Sequence, residues 1–134
     1  MVQAIALSET SAGLTGPVGD LDKPVGERSY CVLQVRVGAA RDVLKRWPKL
    51  WGAYRESMAD EEVIARLLTN RWFCVQAGAR YYDMMLESFP DEASAVTAYN
   101  GGRDSVRKKR LNPKTHPYTR RVLGFRDALL ASSG

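Results

Sequence analysis

The chain has 134 residues, 45% of them hydrophobic, and a formal net charge of +5. That is enough for one compact domain with one core, spanning residues 1–134, and no apolar run approaches the roughly 20 residues that span a bilayer. Two separated cysteines and a single histidine do not make an all-protein zinc site, and no metal or cofactor is expected.

The opening MVQAIALSET has no basic n-region and too short an apolar stretch for a signal peptide. Val2, Ile5 and Ala6 fall on one face at helical spacing, which predicts a short helix over residues 2–9. The segment from Thr10 to Arg28 holds Gly13, Gly16, Pro17, Gly19, Pro24 and Gly26 and reads as a long loop. A structureless connection of that length in so small a domain points to function. It is not a phosphate loop, because no Gly-Lys-Ser/Thr follows GLTGPVG. YCVLQVRV is a strand by composition or the start of a buried helix, and its periodicity does not decide.

Val37, Ala40, Val43, Leu44 and Trp47 recur at helical spacing until Pro48 interrupts. Ser57, with Asp60 three residues on, reads as a cap before Val63, Ile64, Leu67 and Leu68. Trp72, Val75, Ala79, Tyr82 and Leu86 form the next stripe, which Pro90 ends. Asp91 suits the cap of a helix carrying Ala95, Val96 and Tyr99, and the Gly101-Gly102 pair ends it. His116-Pro117 places proline at a first helical position, with Tyr118, Val122, Phe125 and Leu129 on one face after it. The reading is an all-α domain of roughly six or seven helices. Cys31 and Cys74 are expected to be free buried thiols.

Glu9 ends an apolar helix and opens the Gly-rich loop. The helix dipole disfavours a carboxylate there, and apolar walls would add to that, so Glu9 is a candidate general acid. The bland alternative is an exposed Glu at a frayed end. Tyr99 and Asn100 put a phenol and an amide on a last helical turn; they line a cleft, or they are a core residue and a C-cap. The basic run RDSVRKKRLNPKTHPYTRR suits a polyanion or serves as a solvated face.

Taken together, these stretches resemble the lytic transglycosylases of the soluble, goose-lysozyme-like class. That family carries a catalytic Glu at a helix end, usually followed by Ser, where this chain has Glu9-Thr10. Its Gly-Leu-Met-Gln-like segment is matched by Cys31-Val32-Leu33-Gln34. VQAGARYYDMML resembles its Asn-x-x-x-Gly-x-x-Tyr-Leu helix, TAYNGG its Ala-Tyr-Asn-Ala-Gly helix end, and HPYTRRVLG its late tyrosine segment. The order agrees over almost the whole chain. The departures are Thr10 for Ser, Cys31 for Gly, and Cys74 near a common Asn.

The resemblance implies a compact lysozyme-like helical domain with a substrate cleft. It implies cleavage of the bond from N-acetylmuramic acid to N-acetylglucosamine in peptidoglycan, with a 1,6-anhydro-muramoyl product and Glu9 as general acid and base. Gln34, Tyr99, Asn100, Tyr30, Ser29 and Tyr118 are then the expected substrate-binding residues, with Tyr30 as a stacking face and the Tyr118 hydroxyl near Glu9. The partner is the glycan strand, with virion or secretion-machinery components beside it; neither membrane insertion nor nucleic acid is expected. With no signal visible, a phage virion or the bacterial periplasm and wall is the expected location. The alternatives are a hydrolytic lysozyme that uses Asp20 or Asp22, and a non-enzymatic module that binds nucleic acid through RKKR and Arg120-Arg121, or binds the wall.

Overall fold

A computed structural model describes residues 1–10, Gly16 and residues 18–133. Gly13 and Pro17 of the expected loop lie outside the described residues. Seven α-helices and one small sheet are described: α1 (Val2–Thr10), β1 (Val18–Gly19), β2 (Ser29–Tyr30), β3 (Val35–Arg36), α2 (Val37–Arg46), α3 (Asp60–Thr69), α4 (Arg71–Ser88), α5 (Glu92–Gly101), α6 (Arg103–Arg107) and α7 (Pro117–Ser133). Short 3-10 turns cover Val25–Glu27 and Pro48–Trp51. Among the described residues no helix is long and apolar enough to cross a membrane.

The domain is mostly helical, as expected, but not all-α. The three short strands form an antiparallel meander in the order β1-β2-β3, with Gly19 opposite Ser29 and Tyr30 opposite Val35. This settles the ambiguous YCVLQVRV segment: it is a tight hairpin running into α2. The expected loop therefore carries a strand and a 3-10 turn between Val18 and Arg28.

α4 is the centre of the fold. It packs against α2, α3 and α5, while α7 packs against α5 and α1. Its buried stripe is Phe73, Cys74, Ala77, Gly78, Tyr82 and Met85. Tyr82 is buried as the sequence pattern predicts, but the start of the expected stripe is misplaced, since Trp72 is 56% exposed and Val75 is 37% exposed. Phe73 and Cys74 fill the positions beside them. Two of the three expected starts hold. Asp91 caps α5 by accepting from the Ser94 amide at 2.9 Å, and Pro117 opens α7. Ser57 does not cap α3: the helix starts at Asp60 after Ala59, with no side-chain cap. Asn70 caps α4 instead, accepting from the Phe73 amide at 2.9 Å.

The expectation of free thiols is overturned. Cys31 and Cys74 form a disulfide that closes a separation of 43 residues. It ties the β2–β3 turn to the first turns of α4. By chain entropy such a loop stabilises the fold by about 4 kcal/mol. The pairing depends on the hairpin folding back onto α4, a proximity that spacing along the chain does not reveal.

Candidate active site

The site forms where the end of α1, the small sheet and the end of α5 converge around a cleft of about 590 Å³. α1 is held by burying Ala4 and Ile5 and by Arg121 of α7, whose Nε donates to Ser8 Oγ at 2.8 Å. This fixes the last turn of α1 and places Glu9 on the cleft wall.

Glu9 is mostly buried, and burial pushes its carboxyl from 4.5 up to about 7. Asp20 raises it further, while the Tyr118 hydroxyl, Arg121 and Arg36 pull the other way. Desolvation wins because these opposing groups are weaker than the cost of a charge in a poorly hydrated wall. At neutral pH a large fraction of Glu9 is therefore protonated, as a general acid requires.

Tyr118 sits in the first turn of α7, which Pro117 starts. It is 6% exposed and backs Glu9 rather than lining the cleft. Its hydroxyl is buried without a hydrogen bond of ordinary geometry, although it interacts with the Glu9 carboxyl. Burial and the Glu9 charge both raise the Tyr118 hydroxyl well above its usual range, so it remains a neutral donor.

Tyr99 and Asn100 lie on the last turn of α5, as expected, and both line the cleft. The helix ends at Gly102, whose φ of +89° turns the chain sharply; Asn100 is not the C-cap. The Tyr99 hydroxyl donates to the Leu33 carbonyl at 2.8 Å, and its ring meets the edge of Tyr81 with centroids 5.6 Å apart. Asn100 Oδ1 lies 2.9 Å from His116 Nε2. That contact holds the amide at the cleft, and the residue before Pro117 thereby serves the site through Asn100.

The turn from Cys31 to Gln34 is the third wall. Cys31 and Gln34 both adopt left-handed backbone, φ +66° and +51°, which glycine tolerates best and other residues adopt at a cost of roughly 1 kcal/mol each. The disulfide at Cys31 and two bonds hold the turn: Gln34 N and Gln34 Nε2 both donate to the Cys31 carbonyl, at 3.0 and 2.9 Å. Gly19 makes room for Gln34, because a Cβ there would lie 1.9 Å from Gln34 Oε1. Ser29 Oγ donates to Asp20 Oδ2 at 2.7 Å, and Gln34 Oε1 lies 3.2 Å from the same hydroxyl. One hydroxyl proton serves the shorter, charged partner first.

Of the expected residues, Glu9, Gln34, Tyr99, Asn100 and Ser29 meet around one cleft. Tyr30 does not join them. It is 3% exposed, and its hydroxyl donates to the Val25 carbonyl at 2.6 Å, so it has no free face for stacking. Both residues of β2 are buried, and Tyr30 belongs to the hydrophobic core. Asp20 lines the cleft with its carboxylate near Lys23 and Arg36, whereas Asp22 is exposed and does not reach it. Sequence reasoning missed Tyr81, Arg36 and Asp42 on the walls. The Tyr81-Tyr82 pair was the available signal: with Tyr82 assigned to the core, its neighbour lies about 100° round the helix.

No family model, curated protein or solved structure matches the chain. One carboxyl held largely protonated up to about pH 7, a buried neutral phenol behind it, and amide and phenol groups lining the same cleft can donate a proton and hold a neutral polar ligand. Among the described residues no three His, Cys, Asp or Glu side chains are grouped to hold a metal ion.

Proposed function

We propose that the chain is a peptidoglycan lytic transglycosylase of the lysozyme-like class, with Glu9 as its single general acid and base. The observation that carries this reading is the Glu9 carboxyl, pushed up to about 7 by burial, in a cleft that Tyr99 and Asn100 also line. The sequence resemblance supplies the substrate, and the convergence of Glu9, Gln34, Tyr99 and Asn100 around one cleft supports it.

In this reaction Glu9 gives its proton to the glycosidic oxygen as the bond to the muramoyl anomeric carbon breaks. The C6 hydroxyl of the same muramoyl residue attacks that carbon, and Glu9 takes the hydroxyl proton. The ring closes as a 1,6-anhydro sugar and no water is consumed, so the second carboxylate of ordinary glycosidases is not required. Tyr118, behind Glu9, donates to the carboxylate formed midway and lowers the energy of that state. Asn100 and Gln34 supply amides for the acetamido groups, and the Tyr81–Tyr99 edge forms part of the sugar-facing wall. A disulfide persists where thiols are not kept reduced, which suits work in the periplasm, at the wall or in a virion.

One specific observation favours a second reading. Asp20 reaches the same cleft and acts electrostatically on Glu9, so a water activated by Asp20 would make the enzyme a hydrolytic lysozyme. Either glycan-cutting reading requires Glu9, whereas a nucleic-acid module built on the exposed run Arg107-Lys108-Lys109-Arg110 does not. A peptidoglycan zymogram of wild type and Glu9→Gln, beside a DNA gel shift, separates them. The expected result is a clearing band lost in Glu9→Gln; clearing that persists in the variant ends the assignment.

A further inference from the structure

A second pocket of about 330 Å³ adjoins the cleft and shares Asp42, Tyr81 and Gly102 with it; Arg103, Asp104 and Arg107 complete it. Its four charged side chains comprise two of each sign. Among the described residues none of the four makes an ion pair within 4.0 Å. Elsewhere among the described residues four arginines form such pairs, Arg41 with Asp60 at 2.8 Å and Arg46 with Glu87 among them. Arg103 Nε is also buried without a hydrogen-bond partner, an omission that costs about 1–3 kcal/mol and calls for an explanation. The left-handed turn at Gly102 brings Arg103 to the end of the cleft, where Arg103, Asp42 and Arg36 all act on the Tyr81 hydroxyl.

Asp42, Asp104 and Arg107 are exposed, and opposite charges that share one pocket without pairing match a ligand that carries both. A phosphate would be opposed by the two aspartates, and a sugar hydroxyl would use one charge of the four. We propose that this pocket binds an amino-acid centre on a branch of the substrate, with its carboxylate on Arg103 and Arg107 and its ammonium on Asp42 and Asp104. The proposal rests on the peptidoglycan reading, since the muramoyl residues of that polymer bear short peptides. A diamino dicarboxylic acid in such a peptide presents the required pair of groups on one carbon.

The test is a titration of the isotopically labelled protein, followed by NMR, with the tripeptide Ala-γ-Glu-diaminopimelate and with the same peptide carrying Lys in third place. The first should move the Gly102 and Arg103 amides and bind at least tenfold tighter than the second, which lacks the carboxylate. Arg103→Met should weaken it about tenfold and the exposed Arg107→Met at least threefold. Arg120→Met, which removes the same charge from an exposed position on α7, should bind as wild type does. No shift at these amides, equal affinity for the two peptides, or wild-type binding by both Arg103→Met and Arg107→Met overturns the proposal. Glycan stripped of its peptides is assayed alongside. If it is cut while the tripeptide fails to bind, the pocket assignment falls and the cleft reading stands; if the tripeptide binds while no glycan is cut, the reverse holds.

Discussion

The hydroxyl of Tyr99 donates to the carbonyl of Leu33 across a separation of 66 residues, so the last turn of α5 holds the turn that carries Gln34. Tyr99→Phe leaves that carbonyl unpaired in a partly buried place. The expected loss is about 1–2 kcal/mol in urea denaturation, with lytic activity down about tenfold because Gln34 is no longer held in place.

Glu9 links activity to stability through pH. Its folded carboxyl binds a proton more tightly than the unfolded one, about 7 against 4.5. Its contribution to stability is thus full below about pH 4.5 and is lost as pH rises through about 7. The gap corresponds to at most about 3 kcal/mol. Glu9→Gln should therefore be more stable than wild type at pH 8, by about 1–3 kcal/mol, and equal to it at pH 4. Denaturation midpoints at the two pH values check this.

The same carboxyl sets the alkaline limb of catalysis. The value of kcat/KM on soluble glycan should fall as pH rises above about 7, and carboxyl carbon NMR should place the Glu9 midpoint there. A midpoint near 4.5 would remove the basis for Glu9 as an acid at neutral pH.

Reduction of the Cys31–Cys74 disulfide should cost about 2–4 kcal/mol. The loss should be read both as a lower denaturation midpoint and as lower activity, because Cys31 anchors the left-handed turn at Gln34. The double variant Cys31→Ser, Cys74→Ser should reproduce both effects and be insensitive to dithiothreitol.

Gly78 lies where α4 meets that turn. A Cβ there would stand 2.4 Å from Leu33 Cδ1 and 3.2 Å from the Tyr99 hydroxyl. Gly78→Ala should destabilise by about 1–3 kcal/mol despite the better helix propensity of alanine, as thermal unfolding would show.

Much of this organisation was legible in the sequence where a residue acts through local rules. Asp91, Pro117 and the Gly101-Gly102 pair mark helix ends by capping and backbone preference, and the structure places them there. Glu9, Gln34, Tyr99 and Asn100 were identified by motif and come together around the cleft. What escaped depends on distant contacts. The disulfide needs the hairpin folded onto α4. The burial of Tyr30 follows from a two-residue strand too short to show alternation. Trp72 and Phe73 are both apolar, so period alone did not decide which faces the core. Arg103 and Asp42 carry no local signal, and only the turn at Gly102 brings them to one pocket.

The most direct measurement is the mass of the muropeptides released from purified sacculi at pH 6. The account predicts anhydro-muramoyl products, lighter by one water than the corresponding reducing sugars. Reducing products throughout would contradict the single-carboxyl mechanism and give the second catalytic role to Asp20.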